Sequence, residues 1–139
     1  MSYIDDSLSA GETVVARFGQ HWLTWMPVAL CVLLAPVTLG LSLIVAGVLA
    51  LRIRSLEQGL TTRRVILKTG FISRHSEEMR LGSVETVEIR QSLWGRILGY
   101  GSIEITGRGT SDLLLRRVAD PMAVKRAIES AANSAEAHT

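Results

Sequence analysis

The stretch "WLTWMPVALCVLLAPVTLGLSLIVAGVLALR", residues 22–52, holds no charged residue before Arg52. Coiled as one helix, its roughly thirty apolar residues would reach about 45 Å, whereas a bilayer's hydrocarbon layer is about 30 Å thick and takes about 20 residues. A single crossing over 22–51 therefore leaves apolar residues over. Near the midpoint stands Pro36-Val37-Thr38, followed by Gly40, which is turn chemistry. Arg17 flanks one end of the run and Arg52, Arg54, Arg63, Arg64 and Lys68 flank the other, with no charge at the centre. Only a hairpin satisfies the positive-inside rule at both ends. The sequence therefore predicts a transmembrane helical hairpin over 18–56, with helices from Phe18 to Ala35 and from Leu39 to Leu56. The single span is the alternative. Both termini are then expected in the cytoplasm, in a multi-pass protein of the inner membrane.

Working outward, residues 1–17 form a short acidic lead, and the first 21 residues carry Asp5, Asp6 and Glu12 against Arg17. From Arg52 onward fourteen basic residues face ten acidic ones, a surplus that favours anionic surfaces but is too small and mixed for a nucleic-acid binder. The start is acidic and the apolar run is too long for a signal peptide. One cysteine, Cys31, excludes an intramolecular disulfide and any CxxC metal site.

Beyond Arg54 the texture changes to short β-prone runs broken by glycine. Ser102-Ile103-Glu104-Ile105-Thr106 alternates strictly, which puts Ile103 and Ile105 on one face. Val84 to Arg90 alternates similarly, with Val87 and Ile89 inward. Arg64 to Lys68, Phe71 to Met79 and Asp112 to Val118 complete the strands, at antiparallel spacing. Asp120-Pro121 is an N-cap followed by proline at the first helical position, and Pro121, Val124, Ile128 and Ala131 make one apolar stripe. A frayed, disordered tail is expected over 133–139.

The blocks "GLTTRRVILKTGFISR", "IRQSLWGRILGYGSIEI" and "LLLRRVADPMAVKRAIES" resemble, in order, those of the bacterial pleckstrin-homology-like domain, a family also described as membrane-flanked. The matching positions are Leu60, Thr61 and Arg64; Gly70; Leu98, Gly99 and Gly101; Ile103 and Ile105; and Asp120 and Pro121. Upstream, Gly11, Glu12, His21 and Trp22 match the family's approach to a helical hairpin. The resemblance spans about residues 11 to 132. It implies a membrane-anchored α+β fold: the hairpin, then over 57–132 a PH-like barrel or sandwich of two antiparallel sheets capped by a C-terminal helix. It does not supply a ligand.

Catalysis finds little support. Ser73, His75, Glu77 and Glu78 in "SRHSEE" place a histidine beside carboxylates, but no nucleophile or orienting acid elsewhere completes the set. The three histidines are too dispersed for a metal site, and the glycines of "GYG" and "GRGTSD" lack the context of a filter or a phosphate loop. No enzymatic activity, cofactor or metal is expected. In "RQSLWGRILGYG" apolar residues interleave with Arg90 and Arg96; plugging one end of the barrel is the favoured reading, and resting at a headgroup boundary is the other. The candidate membrane or partner surface is Arg63, Arg64, Lys68, Arg74, Arg90, Trp94 and Arg96. The expected function is a non-catalytic membrane-anchored binding module that recruits a protein partner or senses anionic lipid. The alternative is an accessory subunit of a membrane complex. The lipid bilayer, a protein partner or complex, and a second copy of the chain are the partners considered, and nucleic acid is not.

Overall fold

The computed structural model describes residues 2–70, 72–109 and 112–138. A short helix, α1 (Tyr3–Asp6), leads into strand β1 (Val14–Arg17). A 3-10 turn (Trp22–Trp25) then opens helix α2 (Met26–Leu33), and helix α3 (Leu41–Arg54) returns to strand β2 (Glu57–Thr61). Strands β3 (Arg64–Thr69), β4 (His75–Arg80) and β5 (Val84–Arg90) follow. Helix α4 (Leu93–Leu98), strands β6 (Tyr100–Gly107) and β7 (Asp112–Ala119), and helix α5 (Pro121–Ala137) complete the chain.

Two antiparallel sheets result, of order β1-β2-β3-β4 and β5-β6-β7. Their apolar faces and α5 enclose one core. Leu60 and Val65 from the first sheet, Ile103, Ile105 and Leu115 from the second, and Ile128 of α5 are fully buried. The alternation expected at Ile103 and Ile105 is observed, as is the Asp120 cap, whose carboxylate accepts from the Ala123 N–H at 3.2 Å. Pro121, Val124 and Ile128 bury the predicted stripe. The sheets and C-terminal helix thus agree with what the family resemblance implies. Helix α5 continues through Ala137, past the expected onset of a disordered tail, and its Ala131 and Ala135 pack against the core. Phe71, expected in a strand, lies outside the described residues.

The membrane-crossing reading is overturned. Residues 26–54 do fold back on themselves as two packed helices, with the turn where Pro36 and Gly40 place it. Leu39 and Gly40 take the left-handed conformation there, at φ 52° and 83°. But among the described residues no helix is long and apolar enough to cross a membrane. The 8 residues of α2 and 14 of α3 rise only about 12 and 21 Å, against a hydrocarbon layer of about 30 Å. The missing length went into sheet structure. Phe18 donates its N–H to the Gln58 carbonyl, and Gln20 bridges to Val118, so residues counted as helix pair as strand. At the far end Ser55 caps α3 and Glu57 opens β2. Neither the transmembrane hairpin over 18–56, nor the single span over 22–51, nor the multi-pass inner-membrane placement with cytoplasmic termini follows from this fold.

The hairpin is an insertion between β1 and β2, which pair directly, Val14 with Thr61 and Arg17 with Gly59. A buried polar cluster locks that pairing. The Glu12 carboxylate accepts from the Thr61 hydroxyl at 2.6 Å, the Ser9 N–H at 2.9 Å and both Nε and Nη2 of Arg64 at 3.1 Å. Arg64 also reaches the Ser7 carbonyl at 2.6 Å and pairs with Glu78 on β4. Burial pushes the Glu12 carboxyl up, but the Thr61, Ser9 and Arg64 contacts outweigh it and hold its pKa at about 2, below the ordinary 4.5. A depressed folded-state pKa gives stability that is fully present above pH 4.5 and is lost as pH falls towards 2. Urea melts from pH 6 to pH 2 are expected to show wild type losing on the order of 3 kcal/mol across that window. Glu12→Gln lacks this acid-linked loss and starts from a lower stability at pH 7.

Candidate functional site

The described residues with functional potential gather at the end of the domain from which the hairpin emerges. Helices α2 and α3 pack on each other through Ala46, while Leu33, Val37 and Leu39 at the turn are 73%, 80% and 98% exposed. Along α3, Leu41, Ile44, Val45 and Val48 are exposed as well. The hydroxyls at the tip are satisfied internally, since Thr38 donates to the Leu34 carbonyl at 3.1 Å and lies 2.9 Å from the Ser42 hydroxyl. Basic residues stand only at the root: Arg52 and Arg54 occupy the last turn of α3, and Arg54 lies over the Trp25 ring.

A second apolar patch flanks that root. The Ser92 hydroxyl caps α4 by accepting from the Gly95 N–H at 3.1 Å, and Gly99 ends the helix at φ 79°. Gly95 lies against the Tyr100 carbonyl, where a Cβ would come within 2.6 Å of the oxygen, so only glycine lets the short helix sit flat on β6. Its outer face then carries Leu93, Trp94 and Ile97, all more than two-thirds exposed. The plug reading of these residues is therefore corrected: the barrel end is filled by the sheets' own side chains and α5, and α4 lies outside it. Tyr100, next after the helix cap, has its ring 5.3 Å from His21, the residue that caps the turn into α2. A pocket of about 420 Å³ between His21, Met26, Pro27, Tyr100 and Arg117 lies where Tyr100 meets the start of the hairpin. On the other side the β3–β4 connection contributes Ile72, which is 96% exposed.

The predicted surface residues divide. Arg64 is withdrawn into the Glu12 and Glu78 pairs, and Lys68 is drawn towards Glu57 and over the Tyr3 ring, so both serve the domain's interior rather than its surface. Arg63 donates to the Ala10 carbonyl beside the same cluster. Arg90 pairs with Glu104 across the second sheet. Arg74, Trp94 and Arg96 remain exposed, Arg96 on α4 beside Trp94 and Arg74 close to Ile72. His75 stands 3.2 Å from Glu77 in the open on β4, and no third group among the described residues orients it. Thr110 and Ser111 of the glycine-rich segment lie outside the described residues, and the described ones hold no cluster of metal-binding side chains.

Two sheets closed by a C-terminal helix, with an Asp-Pro cap and a Thr61–Arg64 clasp, give the resemblance a structural basis. A family model for the bacterial PH domain matches residues 13–132. The chain belongs to that family. No curated protein and no solved structure shows significant similarity to it. As a bacterial PH domain the chain is a binding module, and its helical hairpin is carried within the matched region rather than beside it.

The division of the arginines is testable by stability alone. Arg64→Ala leaves the buried Glu12 carboxylate without its charged partner and should cost about 3 to 5 kcal/mol. Arg96→Ala, at an exposed site with no acidic partner among the described residues, should stay within about 0.5 kcal/mol of wild type in the same chemical melts.

Proposed function

We propose that this bacterial PH domain is a non-catalytic module that docks end-on against an anionic lipid surface, with the hairpin resting in the near leaflet and its tip reaching neither aqueous phase. The carrying observation is the run of exposed apolar residues from Leu30 to Leu51, with no charge until Arg52 and Arg54 at the root. Contiguous apolar surface of this extent marks an interaction site. The distribution of charge favours lipid as the occupant. From Leu41 to Arg52 the α3 axis covers about 16 Å, close to the roughly 15 Å of hydrocarbon in one leaflet. The arginines then lie at headgroup level, where each contributes on the order of 1 kcal/mol against anionic lipid. Leu93, Trp94 and Ile97 on α4 and Ile72 on the β3–β4 connection flank the same root, suited to shallow contact at the interface.

The test uses the full chain, purified in a mild non-ionic detergent and transferred to vesicles. Tryptophan quenching by lipids brominated at successive acyl depths is expected, as is flotation that strengthens with anionic lipid and weakens with salt. Leu39→Asp puts a charge at the tip and should weaken flotation roughly a hundredfold, from the 2.5 to 3.5 kcal/mol that an acidic side chain costs in hydrocarbon. In a Cys31→Ser background, Thr38→Cys should be shielded from impermeant thiol reagents applied to either side. Flotation that is absent, or labelling from the far side, would overturn the reading. Stoichiometric co-purification of a membrane protein covering the hairpin would move it to a protein partner.

A further inference from the structure

Between the lower half of α3 and the sheets runs a cleft of about 1060 Å³. Its α3 wall is apolar, through Val48 and Leu51, and its opposite wall carries the β3–β4 connection. Its floor is basic. Arg52 enters from α3, and Arg116 and Arg117 from β7. That two consecutive strand residues border one cleft is unusual, because neighbours in a regular strand point to opposite faces. Here the register between β6 and β7 slips, Gly101 pairing with Val118 but Ile103 with Leu115, so that Arg116 and Arg117 oppose Ser102 alone. Arg117 absorbs the bulge in the left-handed conformation at φ 48°, which a non-glycine residue adopts only under constraint. Bulges of this kind re-aim side chains. Gln58 holds the distortion, its amide accepting from the Arg116 N–H at 2.9 Å and donating to the Arg116 carbonyl at 3.0 Å.

None of the three arginines pairs with a carboxylate among the described residues, whereas Arg17, Arg64, Arg90 and Arg108 do. Two further polar residues, Gln20 and Thr24, line the cleft. The Gln20 amide oxygen and the Thr24 hydroxyl are fully buried yet have no hydrogen-bond partner among the described residues, and Thr24 as a whole is 91% buried. Buried polar atoms are normally satisfied, so two at one cleft point to a group that satisfies them. A bare anion answers the arginines but brings no donor for the Gln20 oxygen. Glu77, also on the wall, disfavours a bare anion too.

We propose that the cleft is a headgroup site for an anionic glycerophospholipid whose headgroup carries free hydroxyls. Its phosphate sits among Arg52, Arg116 and Arg117, its hydroxyls donate to Gln20 and Glu77 and meet Thr24, and its acyl chains follow the exposed side of α3. This deepens the lipid-docking reading and rests on it, and it converts general attraction to negative surfaces into choice of one headgroup.

The experiment is flotation of the full chain with vesicles of phosphatidylcholine alone or doped with phosphatidylglycerol, phosphatidylserine or phosphatidylethanolamine, at low and at half-molar salt. Wild type should prefer phosphatidylglycerol at least tenfold over phosphatidylserine of equal charge, and keep a preference at high salt. Arg116→Gln with Arg117→Asn should abolish that preference while flotation on phosphatidylcholine persists. Arg52→Gln with Arg116→Gln, which spares the bulge residue, should do the same if the first pair misfolds by circular dichroism. Arg80→Gln with Arg126→Gln removes equal charge elsewhere and should leave headgroup choice intact. Excess soluble glycerol phosphate should compete poorly, since it lacks the chains; full competition would assign the cleft to free phosphate esters and overturn the lipid assignment. Equal binding of both anionic lipids, or a preference that survives the cleft substitutions, overturns this inference and leaves lipid docking standing. Failure to float with any vesicle overturns both.

Discussion

The fold depends on one carboxylate. Glu12 is buried, and its charge is stabilised by a hydroxyl from the end of β2 and a guanidinium from the start of β3, both distant in the chain, together with the nearby Ser9 N–H of the same lead. Breaking such a pair is expensive because it strands a charge away from water. The cluster therefore acts as a clasp across the mouth of the hairpin, holding β1 against β2 although the whole of α2 and α3 intervenes. Both feet of the hairpin are anchored in one pair of strands, which bring its root and the cleft there against the sheets.

The same geometry explains which residues carry function and which do not. The basic residues of β2–β3 that look like surface charge are mostly used internally, with Arg64 in the clasp and Lys68 near Glu57. Arg52, Arg116 and Arg117, which pair with no carboxylate among the described residues, lie instead at the hairpin root and on the β7 bulge. Apolar exposure follows the same division. The core residues between the two sheets, such as Leu60, Val65, Ile103, Ile105 and Leu115, are fully buried, whereas Leu39 on the hairpin, Trp94 on α4 and Ile72 on the β3–β4 connection are left open. A small domain with this contrast between its two ends presents one surface to a partner and the other to water.

Much of this was legible in the sequence, for local reasons. The alternation around Ile103 and Ile105, the Asp120-Pro121 cap and the turn at Pro36 are determined by near neighbours, and the structure shows each. Strands β1 and β2 were not legible, because their pairing depends on Glu12 and Thr61 meeting across the hairpin, and neither segment alternates cleanly. That omission lengthened both helices on paper and produced the membrane crossing that the structure withdraws. The favoured plug role for α4 failed for a similar reason: an apolar hexamer says nothing about which side of a sheet it lies on, whereas the Tyr100 carbonyl against Gly95 decides it. Of the candidate site, Arg74, Trp94 and Arg96 were found from composition. Arg116 and Arg117 read in the sequence as ordinary residues of the strand from Asp112 to Val118, since a bulge leaves no periodic mark.

Placing the hairpin inside the β1–β2 connection also bears on how the first sheet closes. During synthesis β1 leaves the ribosome well before the strand it must pair with, and the oily helices come between. Loop closure over so long an insert is slow unless the insert is itself compact. The two helices packing on each other shorten that gap, which lowers the chain-entropy cost of closing β1 onto β2.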